Sequence, residues 1–463
     1  MTDQQDGARS RREFLADTGR MAAGSALAMA AIPAVHAAQD STLRLALVGC
    51  GGRGTGAVFD ALRAKGGPAK LVAMADVFPN RLNDSYSGLS RNLGDRIDVP
   101  KERQFIGFDA YKKAMDCLRP GDVVIFATPP AFRWVHFTYA IEKGLNVFME
   151  KPIAVDGASA KRMLSLADAA NAKGLKVAVG LMSRHSRAMQ ELAKRIQDGE
   201  LGEIILQRGY RVHGYGGSFA STPKPAGIND LMYQIQRFHS FLWASGGNYS
   251  DFYIHGIDNL CWMKGDWPIN AQALGGRHYK TNREGIAYVD QNFDTYAVEY
   301  TYSDGTKFFY EGRCMEGCAG IYATYVHGTK GLGIVSSSGD CGLPSAIYKG
   351  QNADPSKLVW QSTVKPEEQN PYQNEWNDLM DAIRNNKPYN EVKRGAQASL
   401  VTAMGRMAAH CGQYIALDQC LNHLPELGPN VDKLTFESNA PLMPGSDGRY
   451  PVPRPGQTGD NEF

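Results

Sequence analysis

The turn Gly49-Cys50-Gly51-Gly52-Arg53-Gly54 closes an apolar run, residues 43–48, and opens an amphipathic stretch from about 53 to 64. Gly49, Gly51 and Gly54 fit the spacing G-x-G-x-x-G between a buried strand and a helix. The first glycine permits the tight turn, the second lets backbone approach a pyrophosphate, and the third lets the helix pack on the strand. Helix N-terminal amides and the helix dipole then favour phosphate. A chain that begins this way is committed to an α/β fold. Apolar strands follow at 71–75, 123–127 and 146–149, with helical stretches between them, which implies a parallel sheet with right-handed crossovers. The third strand is stopped by Thr128-Pro129-Pro130, and the helix before the fourth carries His136. Asp76, ending the second strand, stands where an acid binds the adenosine ribose hydroxyls, although it also reads as a helix cap before Pro79-Asn80-Arg81. A carboxylate there repels a 2′-phosphate, so NAD is expected; Arg53 and Arg81 keep NADP open.

At 463 residues the chain exceeds what one hydrophobic core supports, so more than one domain is expected. The nucleotide-binding Rossmann domain is expected to span 38–154 and a second α/β domain 155–427. Helices are expected near 157–173, 186–197, 372–386 and 394–411. Segments 203–212, 270–277, 293–302 and 306–313 alternate apolar and polar residues, and Ser303-Asp304-Gly305-Thr306 reads as a hairpin turn. The second domain is therefore expected to hold an open, mostly antiparallel sheet. From Gly428 the chain is rich in Pro, Gly and Asn, which suggests a tail that wraps the surface or is partly mobile. The net charge of +2 includes no basic block, which argues against nucleic acid. The eight cysteines have irregular spacing and read as buried thiols, not as a zinc site or disulfide framework.

Three side chains carry the chemistry. Lys151, in Glu150-Lys151-Pro152, follows the apolar run ending at Met149, so it stands at the C-terminal end of a strand in the nucleotide domain. There it is suited to share a proton with a substrate hydroxyl. Asp251, His255 and Asp258 have i, i+4, i+7 spacing, one face of a helix if the segment is helical. A histidine facing a cleft takes a hydroxyl proton as hydride leaves the same carbon, and Asp251 would orient it or bind a neighbouring hydroxyl. The bland alternative is a core histidine satisfied by its aspartate. No third ligand completes a metal set with these two, so no metal is expected.

The N-terminus reads as an export signal: a twin-arginine pattern at Ser10-Arg11-Arg12-Glu13-Phe14-Leu15, a weakly apolar stretch from Met21 to Val35, and Val35-His36-Ala37 before a cleavage point at Ala38. The stretch is short for a membrane span, so a cleaved, exported (periplasmic) protein without a stable anchor is expected, carried by the twin-arginine machinery.

Taken together, the glycine turn, Ala75-Asp76, Ala127-Thr128-Pro129-Pro130, Glu150-Lys151-Pro152, Asp251-x-x-x-His255 and the closing Gly405-Arg406-Met407-Ala408-Ala409 resemble the Gfo/Idh/MocA oxidoreductase family. The resemblance implies a Rossmann domain joined to an open-sheet α/β domain, bound NAD or NADP, and sugar or cyclitol substrates. It makes Lys151, Asp251 and His255 the catalytic set. It assigns cofactor contacts to Gly49, Gly51, Gly52, Arg53, Gly54, Asp76, Arg81, Thr128, Pro129, His136, Glu150 and Lys151. Arg184, Tyr233, Arg237 and His239 join Asp251 and His255 in segments that line the substrate pocket. Relatives are commonly dimers or tetramers built on the open sheet face. The aromatic and Gly-rich segment from Gly214 to Trp243 departs from shorter relatives and is expected to shape the sugar site or a subunit contact. Related NAD-dependent glycosidases oxidise the sugar transiently, eliminate the aglycone and reduce again; they tend to lack the lysine. A net oxidoreductase is therefore the first reading, a redox-cycling glycosidase the second, and a non-catalytic sugar-binding protein the third.

Overall fold

A computed structural model describes residues 41–463 apart from 279, 280, 283, 343 and 460. The twin-arginine segment and cleavage point lie outside the described residues. The first sheet is built from β1 (Leu43–Val48), β2 (Ala69–Asp76), β3 (Gln104–Ile106), β4 (Val123–Phe126), β5 (Asn146–Met149) and β6 (Val177–Val179). Its order is β3-β2-β1-β4-β5-β6, and every neighbouring pair is parallel. Helices α1 (Gly52–Arg63), α2 (Pro79–Leu93), α3 (Ala110–Asp116), α4 (Arg133–Glu142) and α5 (Gly157–Ala172) make the crossovers. The strands are apolar throughout because both sheet faces are covered, and β4 and β5 are buried at every position. The sequence expectation closed this unit at 154. The sheet continues one strand further, since β6 pairs in parallel with β5.

The chain then runs through α6 (Arg187–Gln197), β7 (Ile204–His213), α7 (Asp230–Gln236), α8 (Leu242–Ser245) and α9 (Gly247–Lys264). Strands β8 (Asn270–Gly276), β9 (Thr295–Thr301), β10 (Lys307–Cys314), β11 (Ile321–Gly328), β12 (Gly331–Ser336), β13 (Ala346–Lys349) and β14 (Leu358–Gln361) follow, then α10 (Pro371–Arg384), α11 (Val392–Cys411), β15 (Ile415–Ala416) and α12 (Leu417–Asn422). Nine strands form one mixed sheet, β14-β13-β12-β11-β7-β10-β9-β8-β15, antiparallel except where β10 lies parallel to β7. Tyr296, Val298 and Tyr300 of β9 and Phe308 and Tyr310 of β10 alternate inward onto α9 and α11. The other face leaves Ile205, Leu274 and Ile321 exposed. Gly256 lets α9 lie close to this sheet, because a Cβ there would sit 2.4 Å from the Tyr310 hydroxyl.

The late helices also return to the first sheet. Trp376 of α10 stacks on Phe148 of β5 at 4.5 Å, and Val392 and Ala396 of α11 join its opposite core. Residues 43–463 consequently form one compact unit. The tail is fastened as well. The Tyr450 hydroxyl donates to Asp230, and the Glu462 carboxylate is buried between Arg406 and His410, at 2.7 and 2.6 Å. None of the eight cysteines is in a disulfide; five are buried, Cys117 and Cys341 are half-buried, and Cys318 is exposed, so not every thiol is a core thiol. No described helix is long and apolar enough to cross a membrane.

Candidate active site

Two adjoining cavities open at the C-terminal ends of β1 and β4, the switch point of the parallel sheet, where ligands of open α/β sheets bind. The larger, about 690 Å³, is walled by Gly49, Gly51, Gly52, Arg53, Asp76, Arg81, Thr128, Pro129 and His136. Gly49 has φ +98°, and a Cβ on it would lie 2.6 Å from the Ala127 carbonyl carbon. A Cβ on Gly54 would lie 2.1 Å from the Gly49 oxygen, whereas one on Gly51 or Gly52 would meet only open space. The backbone is therefore bare where a pyrophosphate must approach and tight where helix meets strand, and the turn fits a dinucleotide. Gly54 itself is packed behind the turn.

Asp76 holds this turn. Its Oδ2 accepts from the Cys50 amide at 2.7 Å and its Oδ1 from the Phe78 amide at 2.9 Å. Burial pushes its carboxyl above the usual range, and those backbone donors offset part of that. A carboxylate facing the cavity at the end of β2 suits ribose hydroxyls. Arg53 points elsewhere: its Nε donates to Glu150, and its guanidinium lies 4.8 Å from the Tyr372 ring centre. Arg81 donates to the Gln236 carbonyl and stacks on Phe78, still on the wall near Asp76. His136 is buried beside Thr128, and burial drives its pKa down to about 3, so the ring is neutral.

The smaller cavity, about 350 Å³, shares Arg53, Ala127, Thr128, Phe238 and His239 with the larger one. Lys151, Asp251 and His255 meet in its wall although the chain separates the lysine from the other two by about a hundred residues. The segment from 251 to 255 is helical, in α9, so the i, i+4 spacing presents both side chains to the cavity. Lys151 Nζ donates to the Asp251 carbonyl and lies 3.7 Å from its carboxylate. That carboxylate also lies 3.5 Å from His239 Nε2, so Asp251 bridges Lys151 and His239; the orienting role toward His255 expected from spacing goes to a different imidazole. His255 is buried, and its Nδ1 has no hydrogen-bond partner. Burial, then the Lys151 charge, holds its pKa well below the ordinary value. The ring is therefore neutral, and its unmet Nδ1 leaves it able to take part in a further hydrogen bond within the cavity wall.

Three residues expected in the substrate pocket lie away from its wall. Arg184 makes a two-pronged bond to Asp258, at 2.8 and 2.7 Å, and covers Trp262. Tyr233 donates to the Thr222 carbonyl, and Arg237 to Ser221 and Ala220. Both brace the segment from 214 to 243 internally, and that segment presents Phe238 and His239 to the two cavities. Residues without a sequence motif complete the wall: Arg133, Arg211, Phe252, Asp340 and Tyr372. Arg211 lies 3.5 Å from Asp340, whose carboxyl burial raises to about 6 against the pull of Arg211 and Lys151. Alternation marked Arg211 only as a strand residue, and nothing local distinguishes Asp340 in its Ser- and Gly-rich loop.

Fold and site together define a dinucleotide-binding Rossmann domain joined to an open-sheet domain. Residues 43–181 match the Gfo/Idh/MocA family, described as an oxidoreductase family with an NAD-binding Rossmann fold. Inositol 2-dehydrogenase 1 of Paenarthrobacter aurescens is 28% identical over 167 residues, 36% of this chain and 44% of that protein. The chain spans under half the length of the first curated relatives it matches. Two solved structures share the fold. Aldose-aldose oxidoreductase from Caulobacter crescentus, complexed with glycerol, has TM-score 0.61 and 17% identity, covering 81% of this chain and 99% of that one. Scyllo-inositol dehydrogenase from Lactobacillus casei, with bound NAD(H) and scyllo-inositol, has TM-score 0.58 and 20% identity, covering 81% and 99%.

Proposed function

We propose that this protein is an NAD-dependent oxidoreductase acting on a CH–OH carbon of a sugar or cyclitol. The carrying observation is the meeting of Lys151 and His255 in a cavity continuous with the dinucleotide cleft. NAD, held by the Gly49–Gly54 turn and Asp76, supplies the hydride acceptor or donor when bound. His255 takes the hydroxyl proton in oxidation and returns it in reduction. Lys151 holds the same oxygen and steadies the charge that develops on it, and Asp251 fixes Lys151 and His239 in place. Phe238 and Phe252 offer apolar faces to a sugar ring, and Arg211 and Asp340 offer hydrogen bonds to its hydroxyls.

Asp340 supports a second reading. A carboxyl held near pKa 6 in the same cavity could protonate a leaving aglycone, as a redox-cycling glycosidase requires. Incubating the purified protein and NAD with aldoses, inositols and aryl glycosides separates the two. Absorbance growing at about 340 nm with sugar or inositol supports the oxidoreductase, because a reduced pyridine ring accumulates. Aglycone release without net reduction supports the glycosidase, and silence across the panel removes both.

The twin-arginine pattern supports export of the folded protein with its cofactor already held. Mass spectrometry of the secreted chain should find an N-terminus near Ala38; an intact Met1 chain in the cytoplasm would refute export. The exposed apolar face of the nine-stranded sheet supports a homo-oligomer, which light scattering would detect as a multiple of the chain mass.

A further inference from the structure

Away from the two cavities, His185, Glu375 and Glu391 converge in the seam where α10 and α11 meet the edge of the parallel sheet. His185 ends the short turn after β6, Glu375 lies in the first half of α10, and Glu391 caps α11. One potential ligand atom from each lies within 4.8 Å of the others, and all three residues are buried. What distinguishes the group from an ordinary ion-pair cluster is how much of it is unsatisfied. Neither Glu375 oxygen has a hydrogen-bond partner, and Glu375 is 0% exposed. His185 Nε2 makes no hydrogen bond either, although it stands 3.3 Å from Glu391 Oε1. Leaving a buried carboxylate oxygen or ring nitrogen without a partner is costly, so an unmet carboxylate and an unmet ring nitrogen in one buried cluster point to something between them.

The surroundings prepare the imidazole for a cation. His185 Nδ1 lies 2.7 Å from Asp378 Oδ2, and Arg187 holds the other Asp378 oxygen at 2.7 Å. A carboxylate on Nδ1 leaves Nε2 as the nitrogen that faces an ion, the arrangement that orients histidine ligands of metals, and the ion must displace the proton that Asp378 and Glu391 favour on the ring. Glu391 is held too: its Oε2 accepts from the Val179 amide at 2.9 Å, and Arg394 lies 2.6 Å from Oε1. One imidazole nitrogen and two carboxylates, with Arg394 already offsetting part of the Glu391 charge, form a mixed N/O donor set that suits Zn²⁺ or Mn²⁺.

We infer that His185, Glu375 and Glu391 bind one divalent first-row transition-metal ion, which pins α10 and α11 to the edge of the nucleotide-binding sheet. Metal–ligand bonds of about 2.0–2.2 Å require the three side chains to draw together by about an ångström. The ion is structural: it joins segments distant in the chain, and it stands apart from Lys151 and His255.

The test uses the full chain, stripped with chelator, reloaded separately with Zn²⁺ and Mn²⁺, desalted, and assayed for metal by mass spectrometry alongside thermal unfolding. The wild type should retain about one ion per chain and melt several degrees higher than the stripped protein. Glu375→Gln, which keeps the side-chain volume, and His185→Gln should lose the ion and the increment in melting temperature. Retention of less than about a tenth of an ion with no thermal shift overturns the inference and leaves bound protons as the occupants of the pocket. Full retention by Glu375→Gln overturns it equally, since the ion would then sit elsewhere. None of these readouts depends on turnover.

Discussion

Lys151 occupies a position that elementary chemistry would leave in water, and its placement shows what the surrounding residues accomplish. The apolar strand β5 delivers it to the C-terminal end of the sheet, and the Asp251 carbonyl and carboxylate hold the ammonium at the cavity wall. Replacing Lys151 with Ala should leave NAD affinity near wild type and lower turnover by about 100- to 10,000-fold, the range of a positioned proton-transfer group. Titration calorimetry and steady-state rates on the same preparation check both halves. Asp340 gives a prediction with a sign. Its carboxyl is raised by burial to about 6 in the folded chain, so the folded state resists its ionisation. The stability it contributes is full below the unfolded value near 4 and is lost as pH rises through 6. Asp340→Asn should therefore flatten the fall in stability between about pH 4 and 6 and stabilise the protein at pH 7 by about 1–3 kcal/mol. Urea midpoints across that interval measure it; an unchanged pH profile would show that Asp340 is freely solvated.

At the scale of elements, the turn between β1 and α1 was legible because its constraints are local. Gly49 needs positive φ, and Gly54 leaves no room for a Cβ, so the spacing of the two is written in the chain itself. Gly54→Ala should push α1 from β1, weaken NAD binding more than tenfold and cost about 1–3 kcal/mol as overpacking does. Isothermal titration and chemical denaturation read the two effects. The tail was less legible. Its Pro- and Gly-rich composition suggested a loose wrapping, whereas Glu462 ends in a buried network with Arg406 and His410. A carboxylate near the end of the chain carries no pattern that announces distant cationic partners. Removing it strands a buried guanidinium, so Glu462→Ala should destabilise by about 3–5 kcal/mol. A change below about half a kcal/mol in the same denaturation experiment would show that the tail is only loosely held.

Across the whole molecule, legibility followed the range of the interactions. Helical and strand periodicity located most of the elements, and the last strand of the first sheet fell beyond the expected boundary at 154 because Pro152 looked like a domain end, while β6 returns later to pair with β5. Motif spacing found the lysine, the aspartate and the histidine. It could not show that the Asp251 carboxylate faces His239, or that Arg184, Tyr233 and Arg237 serve as internal braces, because those partnerships depend on how the second domain folds over the first. Arg211 and Asp340 come from strands and loops of the nine-stranded sheet that only tertiary packing brings to the cavity.

The central claim is spatial, and a crystal structure of the protein with NAD and a substrate identified from the sugar and inositol panel tests it most directly. The reacting hydroxyl oxygen should lie within about 3 Å of both Lys151 Nζ and a His255 ring nitrogen, with the nicotinamide reaching from the larger cavity into the smaller. Density for the nicotinamide or the sugar on the far side of the Thr128 wall, out of reach of either side chain, would contradict the account.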